Sequence, residues 1–252
     1  MTPVLHSVLL AASGSAPSPL WYATRAGGTV ALVLLTATTV FGIAVGGRHE
    51  PRTVARFEVT SLHRNLAVLT LVFLVLHIVT AILDPFVHLG WWITVIPFTA
   101  GYRTLWLGLG TVAFDLLLAV AITSATSRIR LRLGQRRWKA VHWLAYASFP
   151  VAVFHAAGTG TDTKSSLQLL LYALCVGAVV VAVWWRLFRA GPGHAAVRLS
   201  AGAATLAVPV VLVAFLHSGP LAPGWSHRAQ GPAPVAVSAT APAPTTSTQG
   251  AA

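Results

Sequence analysis

The chain reads as an all-α membrane protein, a bundle of six transmembrane helices, and three observations carry that reading. Hydrophobic residues make up 56% of the 252 residues and charged ones only 9%, with a mean hydropathy of +0.74, far from the balance of a soluble domain. Apolar runs of roughly 20 residues, the length that crosses about 30 Å of hydrocarbon, occur six times. None of them alternates with period two, and Leu, Val and Ala occupy every face, so spanning helices fit better than barrel strands.

Residues 1–26 form a short external segment in which Val8, Leu9 and Leu10 are too few to span and follow no basic stretch, so no cleavable signal peptide is expected. The first span is 27–46. The second, 64–84, contains His77 and starts just after His63. The third, 105–125, carries Asp115 near its centre, where an ionised carboxylate is costly and must be protonated, paired inward or functional. The fourth, 139–158, holds His142, Pro150 and His155; the fifth, 166–187, holds Cys175; the sixth is 198–217. Together residues 27–217 make one membrane domain. From Ser218 to the end Ala, Pro, Ser and Thr dominate, a composition that cannot bury a core, and residues 218–252 are read as a disordered external tail.

Orientation follows from the basic residues. Arg48, Arg52, Arg56 and Arg64 lie between spans one and two. Arg128, Arg130, Arg132, Arg136, Arg137 and Lys139 lie between three and four, and Arg186, Arg189 and Arg198 between five and six. Only Arg25, Arg103, Lys164 and Arg228 fall on the other side, so the positive-inside rule places both termini outside and the basic loops in the cytoplasm of a plasma membrane. The formal charge of +12 is mostly one face. No aromatic-interleaved recognition element accompanies it, so anionic lipid and not nucleic acid is the expected partner.

This topology gives four histidines a meaning. Spans two and four run in the same direction, so His63 and His142 fall near the inner surface. His77 and His155 lie 14 and 13 residues further along, about 21 and 19.5 Å outward on a helix. An imidazole from each helix at equal depth can fill both axial positions of a planar iron porphyrin, which suits electron transfer and leaves no open coordination position. His63 with His142 and His77 with His155 would then hold two stacked b-type haems. Fourteen steps return His77 to within about 40° of His63, whereas thirteen leave His155 about 140° from His142 on a straight helix. Pro150 lies between the latter two and could kink the helix. Zinc fits less well, because its ligands must converge while each pair here is about 20 Å from the other. Packing histidines and a proton path are the other readings of these residues.

Cys175 is the only cysteine, which leaves no disulfide, no iron–sulfur cluster and no covalent haem attachment motif. The haems are therefore expected to be non-covalent, and Cys175 an inert small apolar residue.

The segments Ser61-Leu62-His63-Arg64 through Leu76-His77, and Trp138-Lys139-Ala140-Val141-His142-Trp143 through Phe154-His155, resemble the ferric-reductase-like transmembrane domain. That family includes ferric reductases, NADPH oxidases and the haem-binding membrane subunit of a periplasmic methionine-sulfoxide reductase. The resemblance covers about residues 27–190 and implies two stacked b haems held by these same spacings, the awkward helical phase included. Two departures qualify it. No flavin or nicotinamide domain is expected in this chain, since the residues after the last span lie outside and no glycine-rich dinucleotide loop follows a strand. A separate electron donor is therefore implied, either a flavoprotein or membrane quinol.

Several residues are candidates for supporting roles. Arg64, Arg137 and Lys139 adjoin the inner histidines and could pair with haem propionates, although topology already requires basic residues there. Phe73 and Phe149 sit at intermediate depth and either shape the gap between haems or pack. Asp84, Pro85, Phe86, His88, Trp91 and Trp92, with Gly158 to Asp162, could form an exit site, or the tryptophans could be interfacial anchors. His217 and His227 are weak metal candidates.

The expected function is a di-haem b-type cytochrome moving electrons outward, from the cytoplasmic side or the quinol pool to an external acceptor, oxidoreductase or flavin-binding partner. It is an oxidoreductase membrane subunit more than a complete enzyme. The alternative is a transporter or proton-conducting protein with a histidine relay, no haem, and Asp115 in a leading role.

Overall fold

A computed structural model describes residues 18–46, 56–85, 89–189 and 195–225. The external N-terminal segment up to residue 17, Arg48 and Arg52, Phe86 and His88, and the C-terminal tail from residue 226, His227 included, lie outside the described residues, whereas the first part of that tail, 218–225, is described. Among the described residues there are seven α-helices: α1 (Pro19–Gly46), α2 (Arg56–Leu83), α3 (Thr104–Ala125), α4 (Ser127–His142), α5 (Leu144–Thr159), α6 (Ser166–Arg189) and α7 (Ala195–Ser218). No strand occurs among the described residues. Six segments among the described residues are long and apolar enough to cross a membrane, α4 and α5 counting together as one, and the chain is a multi-pass membrane protein.

Local chemistry explains the boundaries. The helix α1 starts eight residues before the first apolar run, because Ser18 accepts the Trp21 backbone N–H on its hydroxyl at 3.0 Å and Pro19 takes the first helical position. Glu58 sits in the first turn of α2, and Arg186 and Arg189 in the last turn of α6, each matching the helix dipole. Ser165 caps α6 by accepting the Gln168 N–H at 3.2 Å.

The segment read as a basic loop between spans three and four is instead helical. Its Arg, Leu and Lys residues are good helix formers, and α4 runs from Ser127 through all six basic residues to His142. Gly134 interrupts it at φ 72, ψ 160, a conformation essentially reserved for glycine. The fourth span is also not one uninterrupted helix. Regular helix bonding lapses for one residue at Trp143, between α4 and α5, although its φ −68 and ψ −17 remain right-handed helical. Pro150, inside α5, is not where the helix divides.

Two tightly packed helix pairs, α1 with α2 and α3 with α5, form the frame, and α1 also contacts α5 and α6. The buried core lies where α1, α5, α6 and α7 meet, around Leu32, Leu35, Val153, Ala157, Tyr172, Val176 and Leu212. Phe149 belongs to this core. Outward-facing Val68, Val72, Val75 and Val79 of α2 are exposed, as expected of a lipid-facing surface, where hydrocarbon replaces water. Threonine hydroxyls join α1 to α2: Thr24 donates to Thr80 at 2.9 Å, and Thr38 and Thr70 share a bond of 3.1 Å.

Candidate functional site

The helix α2 packs closely against neither α4 nor α5, yet its two histidines reach toward His142 at the end of α4 and His155 on α5. The imidazole centroids of His63 and His142 are 6.4 Å apart. Those of His77 and His155 are 6.3 Å apart. These are the two pairings that equal depth predicts, drawn from residues 79 and 78 positions apart in the chain.

Each ring is oriented from behind. His63 Nδ1 lies 3.0 Å from the Thr38 carbonyl oxygen, His77 Nδ1 2.7 Å from that of Thr24, and His155 Nδ1 2.8 Å from that of Trp106. A carbonyl oxygen only accepts, so in these three histidines Nδ1 carries the proton and Nε2 keeps its lone pair. His142 differs: its Nδ1 lies 3.5 Å from the Ser124 hydroxyl, and Trp138 stacks on its ring at 5.2 Å. Thr159 adds its hydroxyl against both Nδ1 and the carbonyl of His155.

The separations can be tested against a metal held between the rings. A metal–imidazole bond of about 2.0–2.1 Å, with roughly 1.1 Å from nitrogen to ring centre, spaces two opposed imidazoles by about 6.3 Å. Both pairs meet that value. Among the described residues no group of three or more His, Cys, Asp or Glu side chains comes together. Each centre therefore offers two protein ligands, which suits a metal whose other positions are filled by a planar macrocycle and not a four-ligand protein site.

The supporting candidates fare unequally. Arg64, Arg137 and Lys139 are exposed, and Phe73 is half-buried. Asp115 is half-buried in α3. Much of the supposed exit segment is structural. Buried Asp84 accepts from Ser18 at 3.1 Å, and Asp162 forms an ion pair with Arg25. The carbonyls of Gly158 and Thr159 accept from Arg103 at 3.1 and 2.7 Å. Trp91 and Trp92 are 70% and 69% exposed, as interfacial anchors are. Exposed His217 joins no metal-binding cluster.

Sequence reasoning missed the surfaces behind the histidines. Gly28 and Gly42 on α1 and Gly110 on α3 lie against His77, His63 and His155 respectively. Their signal was present: Thr24-x3-Gly28 recurs as Thr38-x3-Gly42 after 14 residues, the same step as His63 to His77.

Fold and site together define a multi-pass helical membrane protein with two histidine pairs set one beyond the other along its spans. Residues 27–153 match the family model described as ferric reductase like transmembrane component, half of the chain, and the chain belongs to that family. The match includes His63, His77 and His142 and ends two residues before His155. The chain is 29% identical over 195 residues to the protein-methionine-sulfoxide reductase heme-binding subunit MsrQ of Ralstonia nicotianae, covering 73% of this chain and 81% of that protein. It is 34% identical over 85 residues to the magnetosome protein MamZ of Paramagnetospirillum magneticum, covering 34% of this chain and spanning only 12% of MamZ. No solved structure matches significantly.

Proposed function

We propose that the chain is a di-haem membrane cytochrome, in which His63 with His142 and His77 with His155 are the axial ligands of two non-covalent b-type haems. The observation that carries this reading is the ring separation of 6.4 and 6.3 Å at both pairs. When bound, haem iron supplies one-electron chemistry. The protein's part is to present two Nε2 lone pairs per centre, lock the tautomers through Nδ1, and keep water away with apolar helices. The relative named as a heme-binding subunit of a reductase supports both the cofactor and a reductase as partner.

On this reading the chain is the membrane subunit of an oxidoreductase, taking electrons from a separate flavoprotein or from quinol and delivering them to an external acceptor or partner enzyme. The distribution of basic residues supports a plasma-membrane orientation with both termini outside. Arg64, Arg137 and Lys139, exposed near His63 and His142, are available to haem propionates. The histidine relay has less support: the Nδ1 protons of His63, His77 and His155 end on backbone carbonyls, which accept a hydrogen bond but do not pass a proton on.

The test is a reduced-minus-oxidised visible spectrum with pyridine-haem quantification on the purified chain. Two b haems per chain are expected, falling to about one in His77→Ala or His155→Ala. Folded wild-type protein without haem would overturn the proposal.

A further inference from the structure

Three histidines share one kind of backing. In each, Nδ1 donates to the carbonyl of a residue four positions before a glycine: Thr24 before Gly28, Thr38 before Gly42, and Trp106 before Gly110. In an α-helix the carbonyl of residue i already accepts the N–H of residue i+4, and a side chain at i+4 stands over its second lone pair. Removing that side chain opens the carbonyl to an approaching ring. The contacts agree: a Cβ on Gly28 would lie 2.9 Å from His77 Nδ1 and Cε1, on Gly110 2.6 Å from the same atoms of His155, and on Gly42 3.1 Å from His63 Cε1. The first two distances are too short for any real contact.

The fourth histidine departs from the rule. Fourteen residues after Gly110, where the 14-residue step from Gly28 to Gly42 would place another glycine, stands Ser124. The carbonyl four residues before it, Val120, takes the Thr123 hydroxyl at 3.2 Å, and His142 Nδ1 meets the Ser124 hydroxyl at 3.5 Å instead.

We propose that Gly28, Gly42 and Gly110 are positioning residues that open a backbone carbonyl to each histidine. Ser124 closes that seat at His142, so the two metal centres receive axial ligands of unequal donor strength. The proposal rests on the di-haem reading. A histidine whose Nδ1–H donates to a carbonyl is a more basic ligand and favours ferric over ferrous iron. The His77–His155 pair has two such bonds at 2.7 and 2.8 Å. The His63–His142 pair has one at 3.0 Å and a long contact to a hydroxyl. This asymmetry raises the midpoint potential of the His63–His142 centre relative to the other.

The experiment is haem quantification and potentiometric titration of the purified full chain carrying chosen substitutions. Gly110→Ala and Gly28→Ala should each reduce two haems to about one, while Gly42→Ala, with more room at 3.1 Å, keeps two but raises one midpoint as His63 is pushed from the Thr38 carbonyl. Gly177→Ala, where a Cβ meets nothing within 4 Å, is the folding control and also keeps two. Ser124→Gly removes the Cβ over the Val120 carbonyl and, combined with Thr123→Val to remove the hydroxyl that bonds it, should lower one of two midpoints, leaving the other in place. Ser124→Ala, which keeps the Cβ and loses the hydroxyl, should raise that same midpoint. Two haems with wild-type midpoints in Gly110→Ala and Gly28→Ala would overturn the glycine seats. Unmoved midpoints in both Ser124 variants would overturn the asymmetry. A haem-free wild type would instead remove the di-haem reading and this proposal with it, so the two failures are distinguishable.

Discussion

Arg103 Nη1 donates to the carbonyls of both Gly158 and Thr159, at 3.1 and 2.7 Å, while its side chain is almost wholly buried. The guanidinium thereby closes the C-terminal end of α5, the helix that carries His155. It satisfies carbonyls that have no partner within the helix and places a positive charge at the negative end of the dipole. Arg103→Met should cost about 1.5–3 kcal/mol for the lost charge-assisted bonding, and Arg103→Lys less, because an ammonium keeps the charge without the planar fork. Thermal unfolding in detergent measures both. Equal stability of wild type and Arg103→Met would show that the cap contributes nothing.

Histidines that serve one centre should be energetically and spectroscopically one unit. His77→Ala, His155→Ala and the double variant should all retain about one haem per chain, with the same residual spectrum. His63→Ala and His142→Ala should leave the other. A double variant in the His77–His155 pair that loses substantially more haem than either single one would mean that the pairing is wrong.

One substitution at two glycines should act with opposite signs. Gly134 stands at φ 72 and ψ 160, and a Cβ added there would meet nothing within 4 Å, so Gly134→Ala costs only backbone strain, on the order of 1–3 kcal/mol. Gly177 also faces open space but lies within α6, where alanine gains roughly 0.5–1 kcal/mol of helix propensity. Paired denaturation curves decide it, and matching signs would reject the backbone account.

The ion pair of Arg25 with Asp162 should matter little. Asp162 is 56% exposed, and exposed pairs contribute about 0–1 kcal/mol. Asp162→Asn should therefore shift stability by less than about 1 kcal/mol at moderate salt, with the difference shrinking as salt screens it. A larger, salt-independent loss would assign Asp162 a role beyond the pair.

Much of the architecture was legible along the chain because a membrane imposes a simple rule. Each spanning segment must satisfy its own backbone in an apolar solvent, so length and hydropathy locate helices without knowledge of their neighbours. Boundaries were harder, since they depend on polar details. Ser18 and Pro19 start α1 early, and α4 continues through residues whose charge made them look like loop. The one-residue lapse in helix bonding at Trp143 was also hidden. Nothing in Val141, His142 and Trp143 carries the usual mark of a break, whereas Pro150 does and lies inside a helix.

The division is clearest at the histidines. Spacing of 14 and 13 residues on two spans was enough to group His63 with His142 and His77 with His155, because helical rise converts sequence distance directly into depth. Depth is a property of one helix at a time. That the rings come within 6.4 and 6.3 Å, that three of them rest on carbonyls exposed by glycine, and that His142 meets Ser124 instead depend on how α1, α2, α3, α4 and α5 lie against one another. Those relations join residues with no regular spacing between them, and packing between helices established them.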